Sequence, residues 1–288
     1  MLPISNGLFA TEGNMTGQVM IGLVGSVGFA LGAIAAYFHL RHRSPWAPAV
    51  LRVAVVVALG VNAVFIAHEI HRHGVIEAFR QDFNATLLLA FLIALVGIGT
   101  HLSPTLRGLD GFLFVVAAAS QLAALTVTSK PGMTVTDRPW FISHALAFAL
   151  SGTFFVAGGA AGVAYLLVNR MLRRKPASTL VGRVASLEAL ERFGRWMPVI
   201  AFPLFTYGIL TGLCGVAHRV KDIGQTAWYL DLSFVFSLVA WGVYAYLCYC
   251  LMYRPRIRGR RAAMLAACGL GLVVIVFLFR EFLSPMHQ

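Results

Sequence analysis

Residues 141–175 read Phe-Ile-Ser-His-Ala-Leu-Ala-Phe-Ala-Leu-Ser-Gly-Thr-Phe-Phe-Val-Ala-Gly-Gly-Ala-Ala-Gly-Val-Ala-Tyr-Leu-Leu-Val-Asn-Arg-Met-Leu-Arg-Arg-Lys. Nothing from Phe141 to Val168 carries a charge except through titration of His144, and then Arg170, Arg173, Arg174 and Lys175 arrive together. A helix needs roughly 20 apolar residues to cross the hydrocarbon core of a bilayer. This run exceeds that length and ends in cations suited to lipid headgroups. It is a membrane span, and its neighbours follow the same pattern.

Working outward, apolar runs at about 17–39, 50–68, 85–101 and 109–128 precede it, and runs at about 197–217, 227–252 and 262–282 follow, the third of the eight being the shortest. The chain is 59% hydrophobic and 12% charged, with a mean hydropathy of +0.78, whereas soluble domains carry about a quarter charged residues. The expected fold is all-α: a polytopic membrane bundle of about eight helices forming a single domain over 1–288. Met1 to Asn14 contains no Lys or Arg ahead of the first apolar run, so that helix is expected to be retained. Gly28-x-x-x-Gly32 and Gly158-x-x-x-Gly162 would let helices approach closely.

The net charge of +12 would suggest nucleic acid in a soluble protein, but its distribution gives another reason for it. Arg41, Arg43, Arg52, Arg107 and the basic stretches 170–195 and 254–261 all fall on one side of an eight-span topology. Positive-inside loops predict that this side is cytoplasmic, which puts both termini outside and leaves membrane lipid, not nucleic acid, as the partner of the charge. The segment Ser186-Leu-Glu188-Ala-Leu-Glu191 is expected to cap a short amphipathic helix on the inner surface. Cys214, Cys248, Cys250 and Cys268 all fall within spans, which argues against a disulfide framework, and no Cys-x-x-Cys-His occurs.

The same topology puts His68, His71, His73, His144, His218 and His287, of nine histidines, on the outer face. Trp140, Trp228 and Tyr229 join them there. Imidazole titrates near neutrality and ligates metals. A flat cofactor at this edge needs imidazole for its metal, aromatic surface for its ring and cations for its acid groups. His144 opens the fifth span, His287 follows the eighth, and the loop between the sixth and seventh contributes His218, Arg219, Lys221, Trp228, Tyr229 and Asp231. Lys130 and Arg138 lie just before Trp140. Asp231 also suits the N-cap of the seventh span. His68, His71, His73 and Glu69 could form a divalent-metal cluster, or His68 could turn inward as a second contact to that cofactor.

From residue 140 onward the chain resembles the membrane-embedded cytochrome c assembly proteins, the CcsA, CcmC and HemX-like group. The resemblance rests on His144-Ala-Leu at the start of the fifth span and Leu166-Leu-Val-Asn-Arg-Met-Leu-Arg-Arg-Lys175 at its end. The sixth span carries Phe202-Pro-Leu-x-Thr206-x-Gly208-Ile-x-Thr211-Gly212. Trp228, Asp231, Trp241 and Tyr244 stand in register with the family's outer tryptophan-rich loop. Residues 1–139 look loosely HemX-like, and 140–288 like the haem-handling core. Leu230 replaces the family's second loop tryptophan, Leu232-Ser-Phe234 stands in place of a Pro-Lys-Glu, and Tyr249 occupies the position of an in-membrane histidine found in some members.

The resemblance implies haem b, transiently held at the outer face of a bacterial inner membrane. His144 and His287 would be the axial ligands, with Trp140, Trp228, Tyr229, Asp231, His218 and His68 around them. The implied role is cytochrome c maturation or regulation of haem supply, with other assembly subunits and apocytochrome c as partners. No nucleophile–base pair is visible, so no independent catalysis is expected. The departures keep open an alternative, an accessory or structural membrane subunit that has lost haem. A transporter is disfavoured by the scarcity of buried charge. A b-type cytochrome is disfavoured because no span carries a suitable histidine pair.

Overall fold

A computed structural model of the chain describes residues 6–42, 44–80, 82–126, 139–174, 185–223, 232–254 and 258–283. Among them are α1 (Asn6–His42), α2 (Ala47–Arg80), α3 (Asp82–Leu102), α4 (Leu109–Thr126), α5 (Pro139–Arg174), α6 (Leu187–Ile223), α7 (Leu232–Tyr253) and α8 (Arg260–Leu283), with a single 3-10 turn at Pro104–Leu106 and no strand. The first seven are long and apolar enough to cross a membrane, and α8 covers the range expected of the eighth span. The fold is therefore a polytopic membrane helical bundle. α3 runs for 21 residues, Asp82–Leu102, longer than the 85–101 apolar run. Polar residues extend α3 at its start: Asn84 Nδ2 donates to the Ala78 carbonyl at 2.6 Å, tying the new helix to the end of α2.

α1 to α4 pack chiefly among themselves, as do α5 to α8, and α3 against α5 is the main junction between the two groups. In lipid the outside of a bundle is as apolar as its inside, so close packing depends on small residues and interhelical polar contacts. Both are present. A methyl added at Gly158 would stand 2.8 Å from Pro198 Cδ of α6, and one at Gly162 would stand 2.6 Å from the Ala263 carbonyl oxygen of α8. Gly28 and Gly32 do the same for α1 on α2, where an added methyl would meet Ala58 Cβ at 2.7 Å and Val55 Cγ2 at 2.5 Å. Both glycine patterns thus mark close helix contacts. Within the first group, Asn62 and Gln121 are fully buried and exchange amide hydrogen bonds of 2.9 and 3.0 Å.

One local expectation is corrected. Ser186 does cap a helix, its Oγ accepting from the Ala189 N–H at 3.1 Å. That helix is α6 itself, which runs unbroken for 37 residues, so no separate surface helix forms. Its polar first turns are held by Glu188–Arg192 and Glu191–Arg195 ion pairs at i, i+4, each 2.9 Å. Elsewhere α2 bends at Gly74, whose φ of 79° suits glycine alone.

Candidate functional site

In a bundle whose consecutive helices alternate in direction, the starts of α1, α3, α5 and α7 share one end with the ends of α2, α4, α6 and α8. His144, on the second turn of α5, lies at that end. Arg52, Arg107, Arg170, Arg173, Arg192, Arg195, Arg254, Arg258, Arg260 and Arg261 lie toward the other, where the helices connect in the opposite sense.

His144 is held firmly. Its Nδ1 lies 2.8 Å from the carbonyl oxygen of Gly208 on α6. A carbonyl can only accept, so in this contact the hydrogen sits on Nδ1, and the lone pair of a neutral imidazole is left on Nε2. The same carbonyl accepts from Thr211 Oγ1 at 2.9 Å. Gly212, one turn further along α6, packs close against the Cε1–Nδ1 edge of the ring: a methyl there would come within 2.8 Å of Cε1 and 3.0 Å of Nδ1. The imidazole also meets Phe148, one turn along α5, with centroids 4.6 Å apart and planes at 47°. Phe148 is braced edge-on by Phe205 of α6 at 5.4 Å.

The remaining aromatic contacts continue into the second group of helices. Phe155 of α5 meets Phe205 edge-on at 5.7 Å and stacks on Tyr244 of α7 at 3.6 Å. The Tyr244 hydroxyl donates to the Gly269 carbonyl of α8 at 2.7 Å. Trp241 Nε1 donates to Thr206 Oγ1 of α6 at 3.0 Å. These two α7 residues therefore connect α7 to α8 and to α6.

The other expected site residues are distributed as follows. Trp140 and His218 belong to α5 and α6, but their side chains lie outside the described part of the structure. Trp228, Tyr229 and Asp231 precede α7, which begins at Leu232, and His287 follows α8; all four lie outside the described residues. His68, His71 and His73 are exposed, while Glu69 between them is buried. No group of three or more His, Cys, Asp or Glu comes together among the described residues, so the His68–Glu69–His71–His73 stretch forms no metal cluster there. Sequence reasoning missed Gly208, Thr211 and Gly212 as neighbours of His144. The signal was present in the i, i+4 spacing of the two glycines beside a threonine, which sets all three against one facing helix.

A family model described as cytochrome C assembly protein matches residues 47–287. The chain belongs to the cytochrome C assembly protein family. Searches of curated proteins and of solved structures return no match. Family membership places this multi-pass membrane protein in cytochrome c biogenesis. The family's association with haem raises the question of fit. A neutral imidazole with Nδ1–H tied to a backbone carbonyl and Nε2 bearing the lone pair is the usual arrangement of a metal-binding histidine, so His144 fits.

Proposed function

We propose that this family member holds haem b transiently at the His144 end of the bundle, on the outer face of a bacterial inner membrane, for cytochrome c maturation or the regulation of haem supply. Haem, when bound, supplies an iron that accepts imidazole nitrogens at its two axial positions. His144 is one ligand and His287 the other. Trp140, Trp228 and Tyr229 offer aromatic surface, and Asp231 steadies the start of α7. His218 and the exposed His68 lie at the margin. Other assembly subunits and apocytochrome c are the partners, and thioether formation draws on them. The observation that carries the reading is the Nδ1 contact of His144 with the Gly208 carbonyl.

An accessory or structural membrane subunit without haem is the second reading. It is favoured by the packing contacts of Trp241 and Tyr244, which require no cofactor, and by Leu230 at the second loop tryptophan. The absorption spectrum of the purified protein with added ferric haem decides between them. The expected result is a Soret band that weakens in His144→Ala and in His287→Ala. No band in the wild type would establish the accessory reading, and a band unchanged in both variants would move the ligands elsewhere.

A further inference from the structure

α1 precedes residues 47–287, the stretch that the family matches, and α2 opens that stretch. Along the seam between these two spans runs a groove of about 710 Å³, lined without a single polar side chain and facing the surrounding lipid. We propose that this groove is a binding site for one anionic phospholipid, with an acyl chain laid along it and the headgroup at the α1–α2 connection.

The floor of the groove is the line where the two helices come closest: a methyl at Gly28 would stand 2.7 Å from Ala58 Cβ and 3.0 Å from the Ala54 carbonyl oxygen. Val24 and Val27 of α1 and Val50, Val53 and Val57 of α2 flank that line and are exposed. A valine in a helix keeps essentially one rotamer, so these walls do not fold down to fill the space between them. From Leu23 to Leu31 the groove extends about 12 Å, at about 1.5 Å per residue, close to half of a hydrocarbon core about 30 Å thick. That is the reach of a chain from one leaflet. A second helix fits less well. Helices in a bilayer are held together by small residues and interhelical hydrogen bonds, because lipid tails are as apolar as leucine. Here the small residues already touch one another, and the walls offer no polar side chain.

The arginine end of the groove suits a headgroup. Phe38 continues the face of Val24 and Leu31 on α1, and Trp46 precedes Val50 and Val53 on one face of α2, with the two ring centroids 5.9 Å apart. His42 adds a third ring 5.6 Å from Phe38. Amphipathic rings gather at headgroup level. From Phe38 to Val53 the chain carries Arg41, Arg43 and Arg52 and no acidic residue. Arg52 Nε donates to the Pro48 carbonyl at 3.1 Å, which draws its guanidinium back toward the connection. The connection is therefore complementary in charge to an anionic lipid.

Crosslinking tests the chain and lipid preference tests the headgroup. In nanodiscs made with phosphatidylglycerol that carries a diazirine in its acyl chain, the full-length protein should be labelled several-fold more at 23–31 and 49–58 than at the exposed Val235, Val239 and Val243 of α7. Equal labelling would reduce the groove to ordinary lipid contact and overturn the site. Ala54→Phe, which fills the floor, should abolish the excess. Because a ring at 54 also presses on α1, Val57→Phe on the wall provides a second reading, and an excess that survives both would place the chain elsewhere. Native mass spectrometry with phosphatidylglycerol or phosphatidylcholine of the same chains should show the anionic lipid preferred. That preference should fall about fivefold for each of Arg41→Gln, Arg43→Gln and Arg52→Gln, the worth of one cation near an anionic surface. No preference in the wild type would overturn the headgroup assignment. A protein that is dimeric in detergent and becomes monomeric with Ala54→Phe would give the groove to a second copy of the chain instead.

Discussion

At the scale of single residues, the bundle's polar interior gives its sharpest expectations. Asn62 and Gln121 are both fully buried and satisfy each other twice. Removing Gln121 strands the Asn62 amide in a medium without water, and removing Asn62 leaves Gln121 only its 3.4 Å contact with the Ile21 carbonyl, whereas removing both leaves neither side chain unpaired. Interhelical hydrogen bonds in membranes are worth about 0.6 kcal/mol on average and rarely more than about 1.7. Asn62→Leu and Gln121→Leu should therefore each lower thermal stability by about 1 kcal/mol, and the double substitution should cost less than their sum, as a double-mutant cycle on detergent-solubilised protein would read. Additive losses would mean that the two amides do not act as a pair. Glu69 is the opposite case. It is 3% exposed, and its Oε2 has no hydrogen-bond partner among the described residues. An unpartnered buried polar atom costs roughly 1–3 kcal/mol in protein mutational data, and Glu69→Gln exchanges a carboxylate for a neutral amide that is cheaper to desolvate. That substitution should raise the melting temperature; a fall would reveal a partner for the carboxylate in the native membrane. Neither feature was legible in the sequence as an interaction. A lone Asn in α2 and a lone Gln in α4 are 59 residues apart, and only the packing of the helices shows that they meet.

At the scale of helices, glycines in this chain divide into those that admit a neighbour and those that do not. Gly162 faces the Ala263 carbonyl and the Ala266 methyl of α8, so any side chain there meets backbone that cannot move aside. Gly162→Ala is expected to cost about 1–3 kcal/mol through overpacking. Gly242, within α7, has open space where a side chain would begin: no heavy atom lies within 4 Å of the point a methyl would occupy. Gly242→Ala should be neutral or stabilise by up to about 1 kcal/mol, because alanine favours the helix over glycine. Melting curves for the pair test the α5–α8 contact directly, and equal effects would contradict it. The spans themselves were readable because each is a long apolar run, and the Gly158 and Gly162 pattern pointed to a close contact before its partner was known. The beginning of α6 was not readable as part of a span. Its first turns carry Glu188, Glu191, Arg192 and Arg195, a composition that matches a surface helix, and the ion pairs that let one helix continue from that polar start into the apolar run are visible only in the structure. His144 stood out by its register in the family pattern, but its neighbours Gly208 and Gly212 did not, because they look like ordinary small residues until α5 is laid against them.

At the scale of the whole molecule, one asymmetry governs how the candidate site meets its surroundings. The helix ends near His144 carry His68, His71 and His73 with Arg72, while the opposite ends carry Arg52, Arg107, Arg192, Arg195, Arg254, Arg258, Arg260 and Arg261 together with His39, His42 and His101. Cationic loops are retained on the cytoplasmic side during insertion, and the anionic inner leaflet attracts them further. On that argument we propose that the arginine end is inside and the His144 end outside, where cytochrome c maturation would need it. The two ends can be read in cells. In a variant whose native cysteines, including the exposed Cys214 and Cys268, are replaced, single cysteines at the exposed His71 and Arg258 positions mark opposite ends of the bundle. A membrane-impermeant maleimide added to intact spheroplasts should label His71→Cys and leave Arg258→Cys unlabelled until the membrane is opened. The reverse pattern would turn the molecule over. His144 would then face the cytoplasm, and the haem reading would have to become one of capture from the side where haem is made, with the arginine end oriented against the charge rule. The geometry between His144 and Gly208 lies within the bundle and is the same in either orientation, so this experiment tests the direction of the site independently of its construction.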